Sequence, residues 1–206
     1  MSKAGQLFVI AAPSGAGKTS LVKALLVADK NRRFSVSTTT RPKRPLEVDG
    51  VDYHFVNKDE FQAMVDAGAF LEHAQVFDNW YGTTRAAVET LRDAGHDVIL
   101  EIDWQGARQV RARMPDCTGI FILPPSRQEL ERRLRKRAQD TDDVIARRLR
   151  DASADIAHWD EFDYVVVNDR FDLALESLER ILAGDGETSR RERPDLPGLV
   201  AGLLAG

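Results

Sequence analysis

Apolar and polar positions alternate along this chain in two rhythms. Short runs of continuous hydrophobicity at 7–12, 98–102, 120–123 and 164–167 read as buried strands, rich in β-branched residues. Between them lie stretches of helical period. Residues 19–28 put Leu21, Val22, Leu25 and Leu26 on one face. Asn57-Lys-Asp-Glu60 and Ser126-Arg-Gln-Glu129 each set a capping side chain three residues before a glutamate, so helices are predicted to begin there. Strands separated by helices predict an α/β fold with parallel pairing and helices on both faces of the sheet.

Two regions break the alternation. Residues 41–50 are rich in Pro, Arg and Glu, and 53–56 and 70–77 read as shorter, more polar strands, so 35–90 is taken as a small inserted lobe. Residues 126–150 form a charged helical pair that turns around 139–143. After Gly184-Asp-Gly-Glu, which has linker composition, the tail 185–206 carries an Arg-rich patch and the apolar run 196–204. That run is open to three readings: a helix docked on its own domain, a subunit contact, or a mobile end.

Composition narrows the class. At 206 residues and 43% hydrophobic, the chain makes one domain with inserts and one sizeable core. The formal net charge of −4 argues against a nucleic-acid binder. No apolar run approaches the roughly 18 residues of a membrane span, and the six-residue run after Lys3 is too short for a signal peptide. Cys117 is the one cysteine, which excludes an internal disulfide and predicts a cytoplasmic setting. His54, His73, His96 and His158 show no metal spacing, and Trp80, Trp104 and Trp159 read as packing residues. The total charge hides a local excess. Residues 127–150 hold nine basic and five acidic side chains, a net of +4 that leaves −8 elsewhere. A basic segment in an acidic body points to a local anionic ligand.

Ala12-Pro13-Ser14-Gly15-Ala16-Gly17-Lys18-Thr19 leaves a strand and enters a helix, the context a phosphate-binding loop needs. Gly15 and Gly17 let backbone N–H groups turn inward, the helix N-terminus adds partial positive charge, Lys18 reaches terminal phosphates, and the Thr19 hydroxyl is a ligand for Mg²⁺. Ala12 stands where the strict pattern has glycine, which matters little at negative φ. The loop predicts a nucleoside triphosphate and is silent on the acceptor.

Ser37-Thr-Thr-Thr-Arg41-Pro-Lys-Arg44-Pro-Leu-Glu47 gathers hydroxyls and guanidiniums on a proline-stiffened segment, and guanidiniums grip phosphate in bidentate fashion. Standing alone, such a segment is more often a solvated basic loop. Glu72 breaks the apolar Phe70-Leu-Glu-His strand, where a lone glutamate more commonly faces solvent. Taken together, the phosphate loop, Ser37-x3-Arg41-x2-Arg44-x2-Glu47, Tyr-x-Phe-Val at 53–56, Phe-Leu-Glu-His-Ala at 70–74, Asn-Trp-Tyr-Gly-Thr at 79–83 and Ile-Asp-Trp-Gln-Gly at 102–106 resemble guanylate kinase of the bacterial type, a P-loop nucleoside monophosphate kinase. Phe121–Pro125, Arg132-Arg-Leu-Arg135 and Val-Asn-Asp at 167–169 extend the likeness, which spans roughly residues 5–183.

The resemblance implies a three-layer P-loop NTPase fold with a central parallel sheet, a domain over 5–184, a lobe for the nucleoside monophosphate at 35–90 and a mobile lid at 126–150. It implies transfer of the γ-phosphoryl of ATP to GMP, with Mg²⁺, in purine nucleotide metabolism. Arg41, Arg44, Tyr53 and Tyr81 fall where the family cradles the GMP phosphate, and Ser37, Glu72 and Thr83 where it reads guanine, with Asp103 nearby. Arg133, Arg137 and Arg148 match the lid arginines, and Asn168 matches the loop on the adenine side. Lys18, Arg44, Arg137 and Arg148 carry the catalytic roles. Small-molecule nucleotides are the implied partners, with neither nucleic acid nor membrane, and a homo-oligomer stays open.

The chemistry is consistent with those roles. Guanine offers adjacent donors at N1 and the exocyclic amine, and a carboxylate accepts both, whereas adenine would strand a buried acceptor at a cost of about 1–3 kcal/mol. A GMP phosphate oxygen is already anionic, so positioning and charge neutralisation carry the reaction. Two departures stand out. The usual Asp-x-Asp reads Glu101-Ile-Asp103, and the lid's usual Gly-Arg-Gly reads Lys136-Arg137-Ala138, which predicts an altered hinge. A guanylate-kinase-like interaction module would need neither Lys18 nor the lid arginines, and a kinase for another phosphate acceptor would lack the pairing of Ser37 with Glu72.

Overall fold

A computed structural model of the chain describes residues 4–76, 78–137 and 142–205, with residue 137 described through its backbone. Of the predicted turn around 139–143, residues 139–141 lie outside the described residues, as does Ala138, while Asp142 and Asp143 open a helix. Hydrogen bonding orders β2 (Arg32–Phe34), β7 (Asp97–Glu101), β1 (Leu7–Ala11), β8 (Thr118–Leu123) and β9 (Tyr164–Val167) in one five-stranded sheet, in that sequence. A second sheet has the order β4 (His54–Phe55), β3 (Thr38–Thr39), β6 (Asn79–Thr84), β5 (Phe70–Val76). The chain divides into two compact units, taken in turn below.

One unit comprises Phe8–Lys30, Glu101–Trp104 and Thr118–Gly206. Its strands pair parallel, Phe8 opposite Thr118 in β1–β8 and Ile120 opposite Tyr164 in β8–β9. Every residue of β1 is buried, as a continuous apolar strand requires in a sheet covered on both faces. Helix α1 (Lys18–Ala28) packs against α7 (Phe171–Leu182), joining Leu21 and Leu25 to a core that includes Leu178 and Ile181. Helices α5 (Arg127–Arg137) and α6 (Asp142–Ile156) follow the basic segment, and the Ser126 hydroxyl caps α5 by accepting from the Glu129 N–H. The run at 196–204 forms helix α8 (Leu196–Leu204), which packs on α5 and α6 and buries Leu196, Val200 and Leu203. Arg127 donates to the Leu203 carbonyl and to the Ser153 hydroxyl, tying α8 to both helices. Leu203→Ala is expected to lower the free energy of unfolding by about 2 kcal/mol in urea denaturation, as for a buried leucine.

The other unit comprises Met1–Leu7, Asn31–Leu100 and Gln105–Cys117. Strand β2 pairs parallel with β7, Arg32 opposite Asp97. Its Arg-Arg-Phe sequence gives no apolar run, so sequence pattern alone did not indicate this strand. Helix α2 (Lys58–Asp66) begins in the predicted capping box: the Asn57 side chain accepts from the Glu60 N–H, and the Glu60 carboxylate accepts from the Asn57 N–H. The polar run at 53–56 gives only the two-residue β4, parallel to β3. Strands β5 and β6 form a hairpin, β6 pairs antiparallel with β3, and α3 (Arg85–Asp93) packs on β6. Phe61 stacks on Phe70 with ring centroids 4.5 Å apart and lies 6.1 Å from Trp80, anchoring α2 to this sheet. Helix α4 (Trp104–Arg113) belongs to this unit from Gln105 onward. Among the described residues no helix is long and apolar enough to cross a membrane.

Candidate functional site

The phosphate loop is built by two left-handed glycines. Gly15 has φ 90° and Gly17 φ 95°, a region in which side chains are strained. Space adds a second reason at Gly17, where a Cβ would collide with Asn168 Nδ2. Asn168, from the segment after β9, donates that amide to the Ala16 carbonyl at 2.7 Å and clamps the loop across 152 residues of chain. Helix α1 then begins at Lys18 with no acidic residue in its first turn, which leaves its positive end open to an anion.

Lys18 is deeply buried and donates to the Ile102 carbonyl at 3.0 Å. Burial pushes its pKa down, while the nearby carboxylates Glu101, Asp103 and Asp155 pull toward the charged form. The Thr19 hydroxyl donates to Glu101 Oε1 at 2.5 Å. Glu101, where the resemblance has aspartate, thus holds the Thr19 hydroxyl across its longer side chain. On α5, Arg133 donates to Glu129 and to the Asn168 carbonyl, at 2.6 and 3.0 Å. Bonds from Arg132 and Arg133 hold the Glu129 carboxyl down to about 2. A cavity of about 470 Å³ opens among Gly15, Gly17, Ser20, Arg132, Arg133 and Asn168, a size that suits a nucleotide. Arg148 lies half-buried on α6, and Arg137 ends α5.

The second cluster lies in the unit that holds the four-stranded sheet. Glu47 bridges two candidate residues, its carboxylate accepting from Arg41 Nη2 at 2.6 Å and from the Arg44 N–H at 2.8 Å. Arg41 also lies 5.5 Å over the Tyr53 ring, and Tyr53 meets Tyr81 edge-on at 5.9 Å. Two guanidiniums and two phenols are therefore gathered on one loop and its neighbouring strand. Deeper in, the Thr83 hydroxyl donates to Glu72 Oε1 at 2.6 Å, with Glu72 only 6% and Thr83 1% exposed. Glu72 does not face solvent. Ser37 precedes β3, and its carbonyl accepts from the His54 N–H.

Against this geometry the comparisons with known proteins are specific. Residues 4–185 match the family model described as guanylate kinase. The chain belongs to the guanylate kinase family. Guanylate kinases of Alkalilimnicola ehrlichii and Methylococcus capsulatus are each 56% identical over 200 residues, covering 97% of this chain and 98% of theirs. The crystal structure of guanylate kinase from Anaplasma phagocytophilum aligns with a TM-score of 0.69 at 34% identity, over 90% of this chain and 88% of that one. The α/β fold with a mostly parallel central sheet and flanking helices is that of the family.

Within this guanylate kinase chain, the structure adds neighbours to one candidate residue and brings out groups that no motif marked. Asp103, grouped with the guanine readers by resemblance, lies close enough to act on Lys18 and Asp155. Asp155, on α6, had no motif to mark it. Burial, with Asp103 beside it, pushes its carboxyl up to about 6, against an opposing hydrogen bond from Trp104. Trp104 stacks on His158 at 3.5 Å, and His158 pairs with Glu161 at 2.6 Å. A raised carboxyl pKa means that the fold disfavours the charged form. The penalty is absent below about pH 4, where folded and unfolded states are both protonated, and complete above the folded value. Asp155→Asn is therefore expected to stabilise the protein at about pH 7.5 by on the order of 1 kcal/mol, discounted for solvent screening of a half-buried group. At about pH 4 the gain should vanish, and thermal melts at the two pH values check it.

Among the described residues no group of three or more His, Cys, Asp or Glu side chains could hold a metal. Mg²⁺ of the kinase type takes one or two protein oxygens and completes its shell with water and phosphate. The Thr19 hydroxyl beside Glu101 supplies such hard oxygen donors.

Proposed function

We propose that these two clusters run the family's reaction, ATP + GMP giving ADP + GDP, with the residues in the following roles. Ser37, Glu72 and Thr83 read guanine. Glu72 accepts from N1–H and the exocyclic amine, while the Thr83 hydroxyl fixes its rotamer. Arg41, Arg44, Tyr53 and Tyr81 hold the GMP phosphate, and Glu47 orients the first two. On the donor side, backbone N–H groups of residues 12–19, with Arg133 and Asn168, hold ATP, and Lys18 neutralises its terminal phosphates. Thr19 would hold Mg²⁺, which supplies charge neutralisation on the β- and γ-phosphates when bound. An oxygen of the GMP phosphate forms the new bond to Pγ as the bond to the ADP oxygen breaks. No protein base is needed, because the attacking oxygen carries no proton at neutral pH. Arg44, Arg137 and Arg148 balance charge on the transferred group, and closure of the α5–α6 segment excludes water from it. Asp103, near the guanine readers by resemblance, also favours the charged form of Lys18 against its burial. The buried Cys117, which forms no disulfide, is in keeping with a cytoplasmic enzyme.

The observation that carries the guanine assignment is the buried Glu72–Thr83 pair, a carboxylate bonded to a hydroxyl and sequestered from water. Its test is a nucleotide panel. With ATP and Mg²⁺, GMP should turn over at least about a hundredfold more efficiently than AMP, CMP or UMP, as a site built to hydrogen-bond its substrate demands. Equal rates on all four would remove the assignment.

A further inference from the structure

Glu72 sits on β5, and β5 is the outer strand of its sheet, bonded to β6 on one side only. The pairing contains an irregularity at the residue that matters. Phe70 lies opposite Thr84 and Glu72 opposite Thr83, so two steps along β5 answer one step along β6 and Leu71 is the extra residue of a β-bulge. Without the bulge, Leu71 would stand opposite Thr83 and Glu72 opposite Gly82, on the other face of the ribbon. The Thr83–Glu72 bond exists because of that extra residue.

Side chains of α4 hold the bulge from the open edge. Arg113 Nη1 donates to the Leu71 carbonyl at 2.6 Å. Gln109 takes both backbone groups of His73: its Oε1 accepts from the His73 N–H at 3.2 Å, and its Nε2 donates to the His73 carbonyl at 3.1 Å. Arg113 also lies 3.4 Å from Gln109 Oε1, which joins the two into one staple. A side-chain amide that exchanges both bonds with one residue imitates the next strand of a sheet. Residues 71 and 73 are thus fixed from outside, on either side of Glu72.

We propose that Gln109 and Arg113 are positioning residues for guanine selection, which pin the Leu71 bulge and thereby aim the Glu72 carboxylate. The proposal rests on Glu72 being the guanine reader. It predicts an effect confined to the acceptor, because neither side chain belongs to the phosphate loop or the α5–α6 segment.

The test is steady-state kinetics of the full chain carrying Gln109→Met or Arg113→Met, which keep volume and remove the bonds. Each should raise KM for GMP about tenfold and narrow the preference for GMP over AMP by a similar factor, while kcat at saturating GMP and KM for ATP stay within about twofold. Arg113→Lys, which restores an N–H donor to Leu71, should recover most of the loss. A general loosening of the lobe would instead lower kcat and leave the GMP-to-AMP ratio unmoved, and that result overturns the proposal. Glu72→Gln, measured alongside, separates the two layers. If it impairs GMP use and both Met variants do not, the staple is rejected and the guanine reading stands; if it leaves GMP use intact, both fall. Should Gln109→Met fail to fold, Gln109→Glu serves in its place, since it keeps the bond from the His73 N–H and loses the one to the carbonyl.

Discussion

Lys18→Met is expected to lower kcat for GMP phosphorylation about a thousandfold while circular dichroism remains that of the parent. The magnitude follows from where the ammonium sits. It is withdrawn from water and tethered to the Ile102 carbonyl, so its field on a terminal phosphate is little screened, and one such preorganised donor is worth about 10²–10³ in rate. Burial disfavours the charged ammonium, and the glutamate and two aspartates around it act in the opposite sense. Methionine fills the same volume without charge, so the loop keeps its shape. Lys18→Arg should fare little better: a planar guanidinium carries the charge but cannot occupy the space of a compact ammonium. Single-turnover measurement with pre-bound nucleotide separates the chemical step from binding, and a residual rate above about a tenth of the parent would contradict the role.

The difference between what local sequence announced and what it hid is physical. The phosphate loop was readable because its requirements are local: two glycines where φ is positive, a lysine and a hydroxyl at the helix start, an apolar strand before. The capping box at Asn57 and Glu60 was readable for the same reason. Strand β2 was not, since Arg32-Arg33-Phe34 borrows its pairing from β7 more than sixty residues later and shows no apolar run of its own. Glu72 was marked as a polar break but not as buried, because its burial depends on a bulge pinned by Gln109 and Arg113 from another element. Asp155 and the Trp104–His158 stack were invisible for a like reason. Each gains its character from neighbours about fifty residues away, which no spacing rule encodes. The resemblance to the family supplied roles for single residues; the structure supplied the contacts around them.

Glu72→Gln is expected to raise KM for GMP about tenfold to a hundredfold with KM for ATP unchanged. The amide keeps one oxygen, so the Thr83 hydroxyl retains its acceptor and the hairpin its geometry. What is lost is the second acceptor. Guanine brings two donors to a carboxylate, and opposite an amide N–H one of them meets another donor, a buried mismatch of about 1–3 kcal/mol. Adenine is affected in the opposite sense. Its N1 is an acceptor that the carboxylate repels and an amide N–H can satisfy, so AMP should be used no worse and the preference for GMP should narrow from both sides. The ratio of kcat/KM for GMP to that for AMP is therefore the sensitive readout, and it separates recognition of the base from damage to the lobe, which would depress both substrates together. An equal loss of affinity for ATP would place Glu72 outside the acceptor site. A narrowed ratio at constant ATP affinity would make a buried carboxylate on an edge strand the group by which this kinase tells one purine from the other.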